Sequence, residues 1–88
     1  MVLVKRIVLD VLKPHLPNGL EFAKAIADQG VDYRVTFIVQ EVDEKTETVK
    51  IVIAGEDINF DAISETIANL GGSLHSIDEV EVTSELEE

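Results

Sequence analysis

Tyr33-Arg34-Val35-Thr36-Phe37-Ile38-Val39-Gln40 alternates apolar and polar residues, and after Asp43-Glu44-Lys45-Thr46 the alternation resumes at Val49, Ile51 and Ile53. A period of two marks a strand with one buried face, and a short polar connection between two such runs makes a hairpin. Tyr33, Val35, Phe37 and Val39 form the apolar face of the first strand, and Arg34, Thr36, Ile38 and Gln40 form its other face. Gly55 ends the returning strand.

Each side of this hairpin carries a strand and a helix. On the N-terminal side, Val4 to Leu12 is rich in β-branched residues with Ile7, Leu9 and Val11 on one face. Lys13-Pro14-His15-Leu16-Pro17 stops it, because Pro donates nothing to a ladder. Asn18 and Glu21 make an Asn-x-x-Glu capping box for a helix running to Gln29. Its expected apolar stripe is Leu20, Ala23, Ile26 and Ala27, and Gly30 is expected to end it in the left-handed conformation. On the C-terminal side, Asn59 caps a second helix, and Ile58 and Ile63 stand at the two positions of a hydrophobic staple. Phe60, Ile63, Ile67 and Leu70 are its stripe, Gly71-Gly72 terminates it, and Leu74 to Val82 reads as the last strand. Leu74, Val80 and Val82 share a parity that Ile77 breaks, which predicts a β-bulge near Ser76 to Asp78.

The order strand, helix, strand, strand, helix, strand, with right-handed crossovers, is the α+β ferredoxin-like βαββαβ sandwich. It predicts a four-stranded antiparallel sheet of spatial order 4-1-3-2 with two helices on one face. The expected core is Ile7, Leu9, Val11, Leu20, Ile26, Val35, Phe37, Ile51, Ile53, Phe60, Ile63 and Ile67. The second face stays open in a single copy, and Arg6, Val8, Asp10, Leu12, Arg34, Thr36, Ile38, Lys50, Val52 and Ala54 fall on it. So apolar a face on a soluble chain marks a partner site.

The chain of 88 residues is long enough for one compact domain, assigned to residues 1–83 with an acidic tail at 84–88. The absence of cysteine excludes disulfides, thiolate metal sites and cysteine nucleophiles. A net charge of −11 argues against nucleic acid and anionic membrane as partners. All seven bases lie in residues 1–50, and residues 51–88 carry ten acids and no base. That acidic half reads either as a solvated, self-repelling region or as a surface that meets a cation or a basic neighbour. Met1 to Asp10 is broken by Lys5-Arg6 and lacks the form of a signal peptide, and no apolar run spans a bilayer. A cytoplasmic location is the expectation.

Leu9-Asp10-Val11-Leu12-Lys13-Pro14-His15, Gly55-Glu56-Asp57 and Leu70-Gly71-Gly72-Ser73-Leu74-His75-Ser76-Ile77-Asp78-Glu79-Val80, taken together, resemble an archaeal family of small uncharacterised proteins, number 211 among the domains of unknown function. The resemblance covers nearly the whole chain. It implies a ferredoxin-like domain that assembles into homo-oligomers, and it brings neither an activity nor catalytic residues.

No P-loop, dinucleotide fingerprint, His-Glu-x-x-His or calcium-loop spacing is present. An RNA-binding sheet would carry aromatics on its open face among bases, whereas Tyr33 and Phe37 fall on the helix-facing parity. Two sets of residues remain. Asp10, Lys13, His15 and His75, gathered with Glu56 and Asp57 at one end of the sheet, form the expected ligand site. Imidazole there favours zinc or nickel, and carboxylate favours calcium or magnesium. The alternative is that His75 merely hydrogen-bonds Asp10 or Ser76, while Glu56 and Asp57 complement the dipole of the second helix. Asp78 and Glu79, with no base after Lys50, are the expected metal residues, for Ca²⁺ or Mg²⁺ at a subunit boundary. The expected function is that of a non-catalytic homo-oligomer, larger than a dimer, binding a small ligand or divalent cation in a regulatory or structural role. The alternatives are a metal-dependent enzyme using Asp10, His15 and His75, and a purely structural interaction module.

Overall fold

Every expected element is present in the computed structural model, which describes residues 1–86. They are β1 (Val2–Pro14), α1 (Gly19–Ala27), β2 (Arg34–Val42), β3 (Thr46–Ala54), α2 (Phe60–Asn69) and β4 (Ser73–Ser84). The sheet order is β2-β3-β1-β4 with all neighbours antiparallel, the arrangement read from the sequence. Phe22 and Ile26 of α1, and Ile63 and Ile67 of α2, share one buried cluster with Ile7, Leu9, Val11, Val49, Ile51 and Ile53. Those strand residues all have one parity, so both helices cover one face. The fold is the ferredoxin-like sandwich.

Local chemistry sets the helix ends. The Asn18 side chain accepts from the Glu21 N–H at 3.0 Å, and Asn59 accepts from the Ala62 N–H at 3.1 Å. Gly71 closes α2 at φ +88°, where a side chain would be strained. Gly30 does not take the left-handed conformation expected of it, since α1 ends on Asp28 with right-handed dihedrals. Its role is clearance. A Cβ at Gly30 would collide with the Tyr33 ring, which crosses it so that Tyr33 Oη accepts from the Asn59 N–H at 2.7 Å.

One core residue differs from expectation. Leu20 is 70% exposed, and Phe22 takes its place with no exposed surface. At 100° per residue, Phe22 and Ile26 lie 40° apart on α1, whereas Leu20 and Ile26 lie 120° apart. Gly19 lets α1 approach β2, for a Cβ there would sit 2.8 Å from the Phe37 ring. Val35, Phe37 and Phe60 pack against the cluster but are only half-buried. Phe60→Ala is therefore expected to cost about 1–2 kcal/mol, below the range for a fully buried aromatic. A urea titration showing a loss of full-core size would contradict that.

The sheet outruns its helices. β1 spans roughly 43 Å and α1 roughly 14 Å, so Val39, Val80 and Val82 stay exposed although they have the inward parity. The irregularity in β4 is where the parity required it, and it is double. Glu79 pairs with Val8 and Ile77 with Leu9, leaving Asp78 bulged; Ser76 pairs with Asp10 and Leu74 with Val11, leaving His75 bulged. Two bulges cancel in parity, which is why Leu74 and Val80 agree while Ile77, between them, does not. Ser84 still belongs to β4, and Glu85 exchanges hydrogen bonds with Met1 at 2.9 and 3.0 Å. Glu87 and Glu88 of the acidic tail lie outside the described residues.

Candidate functional site

The register divides the expected ligand cluster. Pro14 pairs with Thr46 and Arg6 with Ala54, so the C-terminal end of β1 meets the start of β3 and not its end. Glu56 and Asp57 therefore lie at the opposite end of the sheet from Lys13 and His15. There Glu56 pairs with Lys5 at 2.9 Å, and Asp57 Oδ1 accepts from the Val4 N–H at 3.3 Å. The Lys5 ammonium is held above its ordinary range, chiefly by its hydrogen bond to Glu56. Asp10 and Lys13 are three residues apart on one strand, so they project to opposite faces. Two separate sites result.

On the helix side, Lys13 continues the inward row of Ile7, Leu9 and Val11 and is wholly buried. Its ammonium lies 5.8 Å from the Phe22 ring centroid and donates to Pro14 O at 2.7 Å and Glu47 Oε1 at 3.3 Å. Glu47 is its partner in register on β3. The other oxygen of Glu47 lies 3.0 Å from His15 Nδ1, and His15 Nε2 lies 3.0 Å from the Glu44 carbonyl. Two acceptors on one ring are satisfied together only by the imidazolium. The Glu47 hydrogen bond first, then the Glu44 carbonyl, holds the His15 pKa above its ordinary value. The His15 hydrogen bond first, with help from Lys13, holds the Glu47 carboxyl below its ordinary value. Lys13 and His15 are thus engaged in an internal network. Glu47 was missed in the sequence, although it and Lys13 are opposite charges on inward positions of what proved to be adjacent strands.

On the open face, Asp10, Val11, Leu12, Thr48 and His75 line a depression of about 300 Å³. Asp10 Oδ1 is buried there with no hydrogen-bond partner. Its two cross-strand neighbours are Lys50 on β3 and Ser76 on β4, and both carry donors. Both donors are turned to another residue. Lys50 Nζ lies 3.3 Å from Asp78 Oδ2, and Ser76 Oγ donates to Asp78 Oδ1 at 2.7 Å. These contacts, the Ser76 hydroxyl foremost, hold the Asp78 carboxyl below its ordinary range. Glu79 is paired with Arg6. The expectation that Asp78 and Glu79 lack a local base is corrected: both bases come from the open face, Arg6 on β1 and Lys50 on β3. A cation at this pair would have to displace them.

The structure thus unites Asp10 with His75 and Lys13 with His15, and keeps the two pairs on opposite faces. Among the described residues, no three His, Asp or Glu side chains converge to hold a metal ion. No helix of the described residues is long and apolar enough to cross a membrane.

The model of the family described as uncharacterised ArCR, domain of unknown function 211, matches residues 5–88. The chain belongs to that archaeal family. An uncharacterised protein of Methanocaldococcus jannaschii is 46% identical over 77 residues, covering 88% of this chain and 79% of the relative. The match to family 211 takes in both faces of the sheet and all the residues of the two sites. It carries no activity with it, so a functional reading rests on the geometry.

Proposed function

We propose that this family 211 chain is a non-catalytic domain that works as a homo-oligomer larger than a dimer and binds a small ligand or divalent cation on its open sheet face. The role is regulatory or structural, and the place of action is the cytoplasm. The observation that carries the reading is the uncovered, partly apolar sheet face, with the depression lined by Asp10, Leu12, Thr48 and His75 on it. A buried acceptor without a donor is costly, and neither cross-strand neighbour hydrogen-bonds Asp10 Oδ1: Ser76 Oγ donates to Asp78, and Lys50 Nζ contacts Asp78 as well. Leu12 and Ile38, 42% and 45% exposed on the same face, add apolar surface that assembly would cover.

Light scattering and native mass measurement test the assembly. The wild type is expected above dimer mass at micromolar concentration, and a monomer would reject the proposal. Ile38→Asp places a charge on the open face at an exposed position, so it is expected to lower the oligomer mass before it lowers secondary structure. An unchanged mass would remove Ile38 from the contacts.

A further inference from the structure

We infer that copies of this chain join head to tail, the β2 edge of one copy pairing with the β4 edge of the next so that the sheet runs on between subunits. This deepens the proposed function by naming a contact that carries the assembly, and it rests on that reading. The sheet order β2-β3-β1-β4 leaves two open edges, and an edge strand presents unpaired N–H and C=O groups to another strand. All neighbours are antiparallel, so the four strands alternate in direction and β2 runs opposite to β4. A second copy set alongside in the same orientation, helices on the same side, therefore adds one more antiparallel pair.

Bulges confine each edge to one regular stretch, residues 34–39 before Gln40 in β2 and residues 79–84 after Asp78 in β4. Residues directly opposite must share a face, which restricts the register. Of the two longest ladders, charge selects the one that sets Phe37 against Val80 and Val35 against Val82, since it leaves Arg34 diagonally across from Glu81. Val80 and Val82, exposed in a single copy, are covered there by the half-buried Phe37 and Val35 of the next. Arg34 and Glu81 both project to the open face, and neither has an ion-pair partner among the described residues. Pairing like edges is less favourable. β4 against β4 brings Glu79 and Glu81 against the same acids of another copy, and β2 against β2 stops at two copies with β4 uncovered.

The test is native mass against protomer concentration for the full chain at low salt, with Arg34→Glu, Glu81→Arg and the two combined. Each single reversal turns an attraction into a repulsion and should raise the concentration for half-assembly about ten-fold. The combined variant should return to the wild-type value, and so should an equimolar mixture of the two single variants, in which copies alternate. Amide exchange on the wild type needs no variant. The N–H groups of residues 34–38 and 79–83 that point away from β3 and β1 should exchange more slowly in the oligomer than after dilution to the monomer. A wild-type oligomer that ignores both reversals, a loss that the combination does not repair, or edge amides that exchange at the monomer rate would each overturn the pairing. Those results leave assembly through the open face standing, whereas a wild type found only as monomer overturns the assembly and the pairing together.

Discussion

Phe22→Ala is expected to lower folding stability by about 3–5 kcal/mol, a large share of the 5–15 kcal/mol typical of a whole domain. The ring has no exposed surface and meets several elements at once. It lies 6.0 Å from the Phe37 ring of β2 in a tilted pair, and it faces the Lys13 ammonium of β1. It also presses on the turn into β4, where a Cβ at Gly72 would come within 3.0 Å of its edge. Truncation removes the transfer energy of the ring and leaves a cavity that α1 cannot collapse to fill, because Ile26 holds that helix on the same cluster. It also strips cover from a buried lysine. The measurement is urea unfolding at fixed protomer concentration, since assembly shifts apparent stability. A lower midpoint with an unchanged slope is expected, with Phe22→Leu between wild type and Ala. A midpoint within error of wild type would show that the ring is not part of the core.

What could be read from the sequence follows the distance over which each signal acts. Strand parity and helix capping act over a few residues, so Ile7, Leu9 and Val11, the caps at Asn18 and Asn59, and the element order were all legible. Phe22 was not, because two stripes fit α1 almost equally well in so short a helix. The expected one contains Leu20, Ala23, Ile26 and Ala27, and the one observed keeps Ile26 but turns toward Phe22. The choice was made by Gly19 and Phe37, residues whose approach is a tertiary fact. The candidate site failed in the same way. Glu56 and Asp57 lie at the opposite end of the sheet from Lys13 and His15, because antiparallel pairing puts the end of β3 beside Arg6. His75 reaches the Asp10 depression through the second of two bulges, and the parity break at Ile77 shows that the strand is irregular without showing that the irregularity is double.

Folding stability is expected to be greatest in mildly acidic solution, between about pH 4.5 and 6.5, and to fall on either side of that window. Two shifts of opposite direction set it. His15 has its pKa raised on folding, so its contribution is complete below the ordinary value of 6.5 and is lost as pH rises through the higher folded value. Glu47 has its pKa lowered, so its contribution is complete above the ordinary value of 4.5 and is lost as pH falls through the lower folded value. Asp78, lowered from 3.8, adds to the acid limb. The charged groups around His15 are Glu47 on β3, Lys13 on β1 and the acidic connection Asp43-Glu44, whose Glu44 carbonyl it meets directly. Deprotonation leaves the ring one N–H for two acceptors, so either the Glu47 or the Glu44 link is given up. That release loosens the β2–β3 connection from the loop after β1. Thermal melts from pH 4 to 9 should show the alkaline decline in wild type, and His15→Gln should flatten it. Glu47→Gln removes the anion shared by Lys13 and His15, so it should flatten the alkaline decline and weaken the acid one. An alkaline decline that survives in His15→Gln would place its origin elsewhere in the molecule.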